Sequence, residues 1–391
     1  MILENNLDFH GQYFESPESS NATRSVTTQI DVLTTPAQFY KLENEWNSLL
    51  SDSSSNSIFL TWEWVSTWWK YFQNNTELWI IVARDAMTQE LTGIAPLAVK
   101  MFRNIAGINQ QRLIFLGNGF AAPDHLDFIV RNGFEERVTQ LFSDKIWNEN
   151  HRWNEIRIDG LISTSSVVYQ LLQQHSHLLK NVDRSICPYI SLPEDWDTYH
   201  QSLSKNMRYN LGRFKRRLEK DYPEVTKIKQ LTEQNEIKDF ISVLVRLHTA
   251  SQKRKNNIGL FTDQNMIDFH TELAEIFLKN GWLRSYSLNI GDTSIAAIHC
   301  FQYNNVVSFY QSGFDQFWQK YSPGSQIMMH AIQQAINEKN KTFDFLRGDE
   351  SYKFKWTKTY TTNLSFNIPL RLQNQAGLYL KQIGRKLKAQ L

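Results

Sequence analysis

The stretch FDFLRGDESYKFKW, residues 343–356, decides how this chain is read. An aromatic strand pattern runs straight into a cluster of ionisable groups, Arg347, Asp349, Glu350, Tyr352 and Lys353, so a buried strand is expected to end in a site. Upstream, VVSFYQSGFD (306–315) is a second apolar strand, and SPGSQ (322–326) opens the helical pattern MMHAIQQAINEK (328–339). The order is strand, glycine loop, helix, strand, polar cluster. A helix entered through glycine offers free backbone N–H groups to an anion, the layout expected for a phosphate-bearing cofactor. Pro323 and Gly324 would also start an ordinary helix, so the weight rests on the order of the elements.

Working outward, the second half reads as strand 225–231, helices near 233–250 and 263–279, a hairpin over 282–304, and the closing segment NLSFNIPLRL (363–372). The first half reads as strand QIDVLT (29–34), helix 36–50, aromatic helix IFLTWEWVSTWWKYF (58–72) and the hairpin runs LWIIVARD (78–85) and LTGIAPLAVKMF (91–102). RLIFLGN (112–118) and HLDFIVRNG (125–133) continue its sheet, followed by helix 134–150, strand 153–160 and helix 163–179. One order of elements occurs twice. This implies two copies of a mixed α/β domain, each a twisted mixed sheet flanked by helices, at 29–190 and 207–376, with 191–206 as linker.

At 391 residues the chain suits two domains. A net charge of +2, from 42 basic and 40 acidic residues, gives no global drive toward nucleic acid, and no DNA partner is expected. Cys187 and Cys300 fit neither a zinc site nor a disulfide framework, so no metal is expected and a reducing compartment fits. Residues 1–28 carry early acidic groups and no continuous apolar run; they read as a mobile polar tail rather than a secretory signal. No run reaches the length of a membrane span, and the cytoplasm is the default expectation. Residues 203–220, LSKNMRYNLGRFKRRLEK, form a basic amphipathic helix, with Met207, Leu211, Phe214 and Leu218 on its apolar face. A second basic helix is expected at 377–391.

The basic helix with Ser204, Arg208 and Arg216, together with YQSGFD (310–315), YSPGSQ (321–326) and FDFLRGDESYKFKW, resembles the acyl-CoA N-acyltransferase (GNAT) superfamily. More narrowly it is similar to the CelD-type, BioF2-like acetyltransferase domains related to the FemAB aminoacyltransferases. The resemblance covers the second half well and the first half more loosely, as a tandem GNAT chain would. It implies acyl transfer to an amine of a small molecule or polysaccharide precursor. Acetyl-CoA or another acyl-CoA would be the co-substrate, its pyrophosphate at the 323–339 helix near Ser322, Gly324, Ser325 and Gln326. The usual cradle of Arg or Gln with spaced glycines is replaced here by Tyr321-Ser322-Pro323-Gly324-Ser325. The first half has only Arg131-Asn132-Gly133 before its corresponding helix and reads as a degenerate partner that walls the acceptor groove.

Acyl transfer from a thioester to an amine requires a base for the amine proton and a donor for the leaving thiolate. Glu350 and Asp349 are the candidate bases and Tyr352 the candidate acid. Asp344 is a further catalytic candidate, with strand-end packing as its structural alternative. Lys353 could hold a phosphate or the acceptor's carboxylate, and Arg347 could bind a planar anion. Tyr310, Ser312 and Asp315 are candidate acceptor contacts, with His299 at the groove or in the core. Two other readings compete. One is aminoacyl-tRNA-dependent transfer to a cell-wall precursor, with the basic helix as the tRNA contact; the other is a non-catalytic carbohydrate or nucleotide-sugar binder using Trp64, Trp68 and Trp69.

Overall fold

The computed structural model describes residues 27–165 and 182–370, apart from 105, 120, 255 and 258. The expected tail at 1–28, save its last two residues, most of the helix at 163–179 and the helix at 377–391 lie outside the described residues.

In the first half, β1 (Thr28–Leu33) is followed by α1 (Pro36–Tyr40) and α2 (Glu43–Ser51), and then by α3 (Trp62–Phe72). Thr35 closes a reciprocal capping box with Gln38, and the Thr61 hydroxyl caps Trp64 N–H. The expected single helix at 36–50 is thus two. The two hairpin runs are each broken once. One gives β2 (Thr76–Leu78) and β3 (Ile80–Asp85); the other gives β4 (Leu91–Ala95) and β5 (Leu97–Arg103), split at Pro96, which has no N–H for a ladder. Then come β6 (Asn109–Phe115), β7 (Ile129–Val130), α4 (Glu135–Asn148) and β8 (Glu155–Ile162).

β9 (Val182–Ser191) leads into the helices α5 (Trp196–Ser202) and α6 (Lys205–Asp221). The stretch 191–206 is therefore no open linker: it carries α5, whose Tyr199 is buried and donates from its hydroxyl to Trp356 O at 2.9 Å. The second half continues with β10 (Thr226–Gln230), α7 (Ile237–Arg254), α8 (Gln264–Lys279), β11 (Leu283–Ile290), β12 (Thr293–Tyr303) and β13 (Val306–Phe314). Asn304 and Asn305, both at positive φ, make the tight turn between β12 and β13. α9 (Pro323–Asn337), β14 (Thr342–Asp344) and β15 (Tyr360–Pro369) complete the chain.

Pairing repeats as the order of elements does. β1–β3–β4 and β10–β11–β12 are antiparallel runs; β5–β6 and β12–β13 are antiparallel pairs; β6–β8 and β13–β14 are parallel pairs. The last strands are exchanged. β9 joins β14 of the second half, β15 joins β8 of the first, and β9 pairs with β15, so one 11-stranded sheet runs through both halves. Two self-contained domains split near residue 200 would have missed this exchange.

The larger core also ignores that boundary. Trp64 of α3 meets Phe269 of α8 at 5.4 Å and Tyr310 of β13 at 5.8 Å between ring centroids. Trp64, Trp68 and Trp69 are 0, 2 and 5% exposed, so they are core side chains rather than the recognition surface one sequence reading gave them. Burial drives this placement, because these rings are the largest apolar surfaces available to weld the halves.

Candidate active site

β13 and β14 run in register only from Val306/Thr342 to Ser308/Asp344. Beyond that they part. Leu346 takes a left-handed φ of 55°, and Phe345 N–H and Gly348 N–H follow β9 by donating to Pro188 O and Ile186 O. β13 carries on to Phe314 through a bulge at Tyr310, since His299 opposes Gln311 while Cys300 opposes Phe309. A cavity of about 800 Å³ opens between the strands, floored by Phe309 to Phe314 and walled by Arg347, Glu350, Tyr352 and Lys353. Its near edge is the start of α9, where Ser322, Gly324 and Ser325 line it.

The backbone of α7 lies directly on β13. A side chain at Gly313 would sit 2.4 Å from His248 N and Leu247 C, so glycine is required there. His248 itself lines the cavity but is spent on structure. Its Nδ1–H reaches Ser312 O at 3.2 Å and its Nε2 accepts from Leu260 N–H at 3.3 Å.

Among the predicted carboxylates, Glu350 lines the cavity, half-exposed, with Oε2 3.0 Å from Lys353 Nζ. Asp349 is exposed and lies off the cavity lining. Asp344 is buried and fully engaged: Oδ1 accepts from Leu346 N–H at 2.8 Å and Oδ2 from His125 Nε2 at 2.7 Å. Its structural alternative describes this placement. Tyr352 faces the cavity, and burial together with the charge of Glu350 pushes its phenol up, keeping it protonated as a donor.

Lys353 is 3% exposed and spends its three donors on Leu346 O (3.2 Å), Arg347 O (2.7 Å) and Glu350. It fixes the 346–350 turn, leaving no N–H for a phosphate. Gln326 is buried and donates to Tyr321 O, and Asp315 caps Phe317 N–H; neither lines the cavity. His299 is enclosed in the core with Nδ1 2.7 Å from the Ser285 hydroxyl, and burial lowers it to about 3, so it is a neutral core histidine. Ser312 lines the cavity; Tyr310 does too, its hydroxyl donating to Ala121 O at 2.5 Å.

That last contact belongs to a set the sequence reading missed. Residues 121–125 of the first half reach the cavity floor, where Ala122 and Asp124 line it. Arg347 Nε donates to Asp124 Oδ1 at 2.6 Å, its backbone N–H to Asp124 Oδ2 at 2.9 Å, and its guanidinium also to Pro123 O. Asn363 Nδ2 donates to Asp124 Oδ1 at 2.6 Å, and His125 Nδ1 to Asn363 Oδ1 at 3.0 Å. Burial alone would lower His125, but Asp344, Asp124 and Asn363 outweigh it and raise it to about 9, so it is an imidazolium at neutral pH. The available signal was Pro-Asp-His in a long loop, but partners more than 200 residues away in sequence are not legible there.

Residues 205–354 match the family model described as the Acetyltransferase (GNAT) domain. The second half is therefore a GNAT acetyltransferase domain, and the protein is of the acyltransferase class. The crystal structure of FemX superposes with a TM-score of 0.57 at 10% identity, covering 87% of this chain and 98% of FemX. That likeness extends the fold assignment across both halves. A tandem GNAT protein from the clavulanic acid biosynthesis pathway (9% identity, TM-score 0.47, 87% of this chain and 98% of that one) is also similar. So is a conserved protein of unknown function from Bacteroides thetaiotaomicron VPI-5482 (11% identity, TM-score 0.49, 83% and 96%). No curated protein matches the sequence. No helix among the described residues is long and apolar enough to cross a membrane.

Proposed function

We propose that the second half transfers an acyl group from a thioester, in its simplest form an acyl-CoA, to an amine held in the β13/β14 cavity. The observation that carries this is the parting of two parallel strands into a cavity that runs to an uncapped helix start: α9 has no side-chain cap and no acidic residue in its first turn. The pantetheine arm of the donor would lie in the wedge and its pyrophosphate at Ser322, Gly324 and Ser325. The residues fit such a group in part: the Ser322 and Ser325 hydroxyls and the Gly324 N–H meet there without a competing carboxylate, while Pro323 has no N–H and Ser325 and Gln326 donate theirs to Ser322 O.

The amine nitrogen attacks the thioester carbonyl carbon, the carbon–sulfur bond breaks, and the sulfur leaves as thiolate. Glu350, the half-exposed carboxylate of the cavity wall, takes the amine proton. Tyr352 returns a proton to the thiolate. Arg347, ion-paired with Asp124, holds the turn that presents Glu350 and Tyr352. The neutral polar lining of Gln252, Asn257, Gln311 and Ser312 suits a hydroxylated acceptor such as an amino sugar or polysaccharide precursor.

The competing donor is an aminoacyl-tRNA, favoured by the basic face of α6. Equilibrium binding of acetyl-CoA, longer acyl-CoAs and aminoacyl-tRNA to the purified chain separates the two. Micromolar acyl-CoA binding is expected, whereas binding of aminoacyl-tRNA with no acyl-CoA binding would overturn the thioester donor.

A further inference from the structure

Among the described residues, the lining of the β13/β14 cavity carries more positive charge than it neutralises. Arg254, Arg347, Lys353 and Lys355 line it beside the carboxylates Asp124 and Glu350. Arg347 is paired with Asp124 at 2.6 Å and Lys353 with Glu350 at 3.0 Å. Arg254 and Lys355 are exposed and form no ion pair among the described residues. Lys355 stands at the α9 end, where it shares a second cavity with Ser322 and Ser325; Arg254 does not line that one.

Arg254 is placed by the packing of α7 on β13. Successive turns of the helix step along the end of the strand. Leu247 and His248 lie over Gly313, and the Ser251 hydroxyl donates to Phe314 O at 3.3 Å. One turn on, Arg254 donates from Nη1 to Gln316 Oε1, with its guanidinium 5.5 Å from the Phe314 ring centroid. The Nε–Nη2 edge, two parallel donors, has no partner among the described residues and matches a planar carboxylate. The sheet decides from which side this edge arrives. Alternate residues of β12 enter different cores: Ala297 and Phe301 join that of α7, while Ala296, Ile298 and Cys300 join that of α9. The two helices therefore cover opposite faces, and Arg254 meets the wedge from the face opposite the helix start assigned to the donor.

We infer that the acceptor amine also carries a carboxylate, that Arg254 binds it, and that this contact selects among amines. The inference rests on the thioester reading above and narrows its acceptor to an acidic amine, an amino-sugar acid or an amino acid. Arg254 and Glu350 belong to different walls, α7 and the turn after β14, so one acceptor is held by its acid at the first and its amine at the second. A simple amine enters as an ammonium ion and meets the unbalanced guanidinium, whereas an amine with its own carboxylate offsets that charge.

The test uses the full chain and amines matched except for the acid: 2-amino-2-deoxyglucuronate beside glucosamine, and lysine beside lysinamide. Calorimetry first measures acetyl-CoA binding, and release of the CoA thiol then follows transfer to each amine. At least one acid should be preferred over its neutral partner by roughly tenfold or more in kcat/KM, the worth of a charged hydrogen bond. Arg254→Gln, which alters an exposed side chain, should erase that preference by raising the acceptor KM. Acetyl-CoA binding with no acid preferred, a preference that survives Arg254→Gln, or a comparable fall in acetyl-CoA affinity in that variant overturns the inference. Absence of acetyl-CoA binding to the wild type would count instead against the thioester donor.

Discussion

The two halves build the same parallel pair, β6–β8 and β13–β14, and treat the wedge beyond it in opposite ways. In the second half the chain leaves β13 through the short stretch 315–322 and enters α9 directly, so the wedge stays open. In the first half, 116–134 is a longer connection that folds back into its own wedge. Leu126 pairs in parallel with Leu161 of β8, donating to Gly160 O at 2.8 Å and accepting from Ile162 N–H at 3.2 Å, where β6 would otherwise continue. The helix starts differ in the same sense. α4 carries Glu135 and Glu136 in its first turn, and Glu135 accepts from Gly133 N–H at 2.7 Å, whereas α9 has neither cap nor acid. One helix start is neutralised by its own carboxylates; the other has none, and the Gly324 N–H is what it leaves for an anion, since Ser325 and Gln326 donate to Ser322 O. The first half is thus a plugged copy whose plug has acquired another task, since its next residues, Asp124 and His125, clamp the turn that presents the candidate acid and base.

The sharpest way to break this comparison is to remove the base from the open wedge. Glu350→Gln preserves size and hydrogen bonding, and turnover should fall about a hundredfold to ten-thousandfold with donor affinity nearly unchanged. The same exchange at Asp349, outside the cavity, should leave turnover intact. Full activity in Glu350→Gln with an unaltered pH profile, read in steady-state kinetics, would move the base elsewhere.

The clamp between plug and site should show in stability. Because His125 is raised from its ordinary 6.5 to about 9 in the folded chain, its contribution is fully present below about pH 6.5 and is lost as pH rises through about 9. The loss should be on the order of 2–3 kcal/mol. Denaturant midpoints at pH 6.5 and 9.5 measure it, and His125→Gln should flatten the difference; an equal slope in that variant would show that other groups titrate.

A smaller effect comes from making the open helix start resemble the plugged one. Ser325→Glu places a carboxylate in the first turn of α9, as Glu135 and Glu136 do in α4. Acyl-CoA affinity should fall roughly tenfold, about 1.4 kcal/mol, with little change in melting temperature. Unchanged affinity would mean that the donor phosphates do not approach this turn.

The sequence by itself determined the element order, its repetition and the chemical character of the 343–356 stretch. Apolar periodicity, the Pro-Gly helix start and the strand-end charge cluster are all local signals, set by residues within a few positions of one another. It also placed Glu350, Tyr352, Ser322, Gly324 and Ser325 in one region, because they sit beside elements that neighbour each other in any such sheet. Only the tertiary structure decided which members of the cluster face the cavity. Lys353 and Asp344 look as reactive as Glu350 in the sequence, yet one is consumed by the carbonyls of Leu346 and Arg347 and the other by His125. The exchange of β9 and β15, the plug at Leu126 and the Asp124–Arg347 link join residues far apart in the chain. Hydrogen-bond geometry and burial select such partners, and neither quantity exists until the sheet has closed.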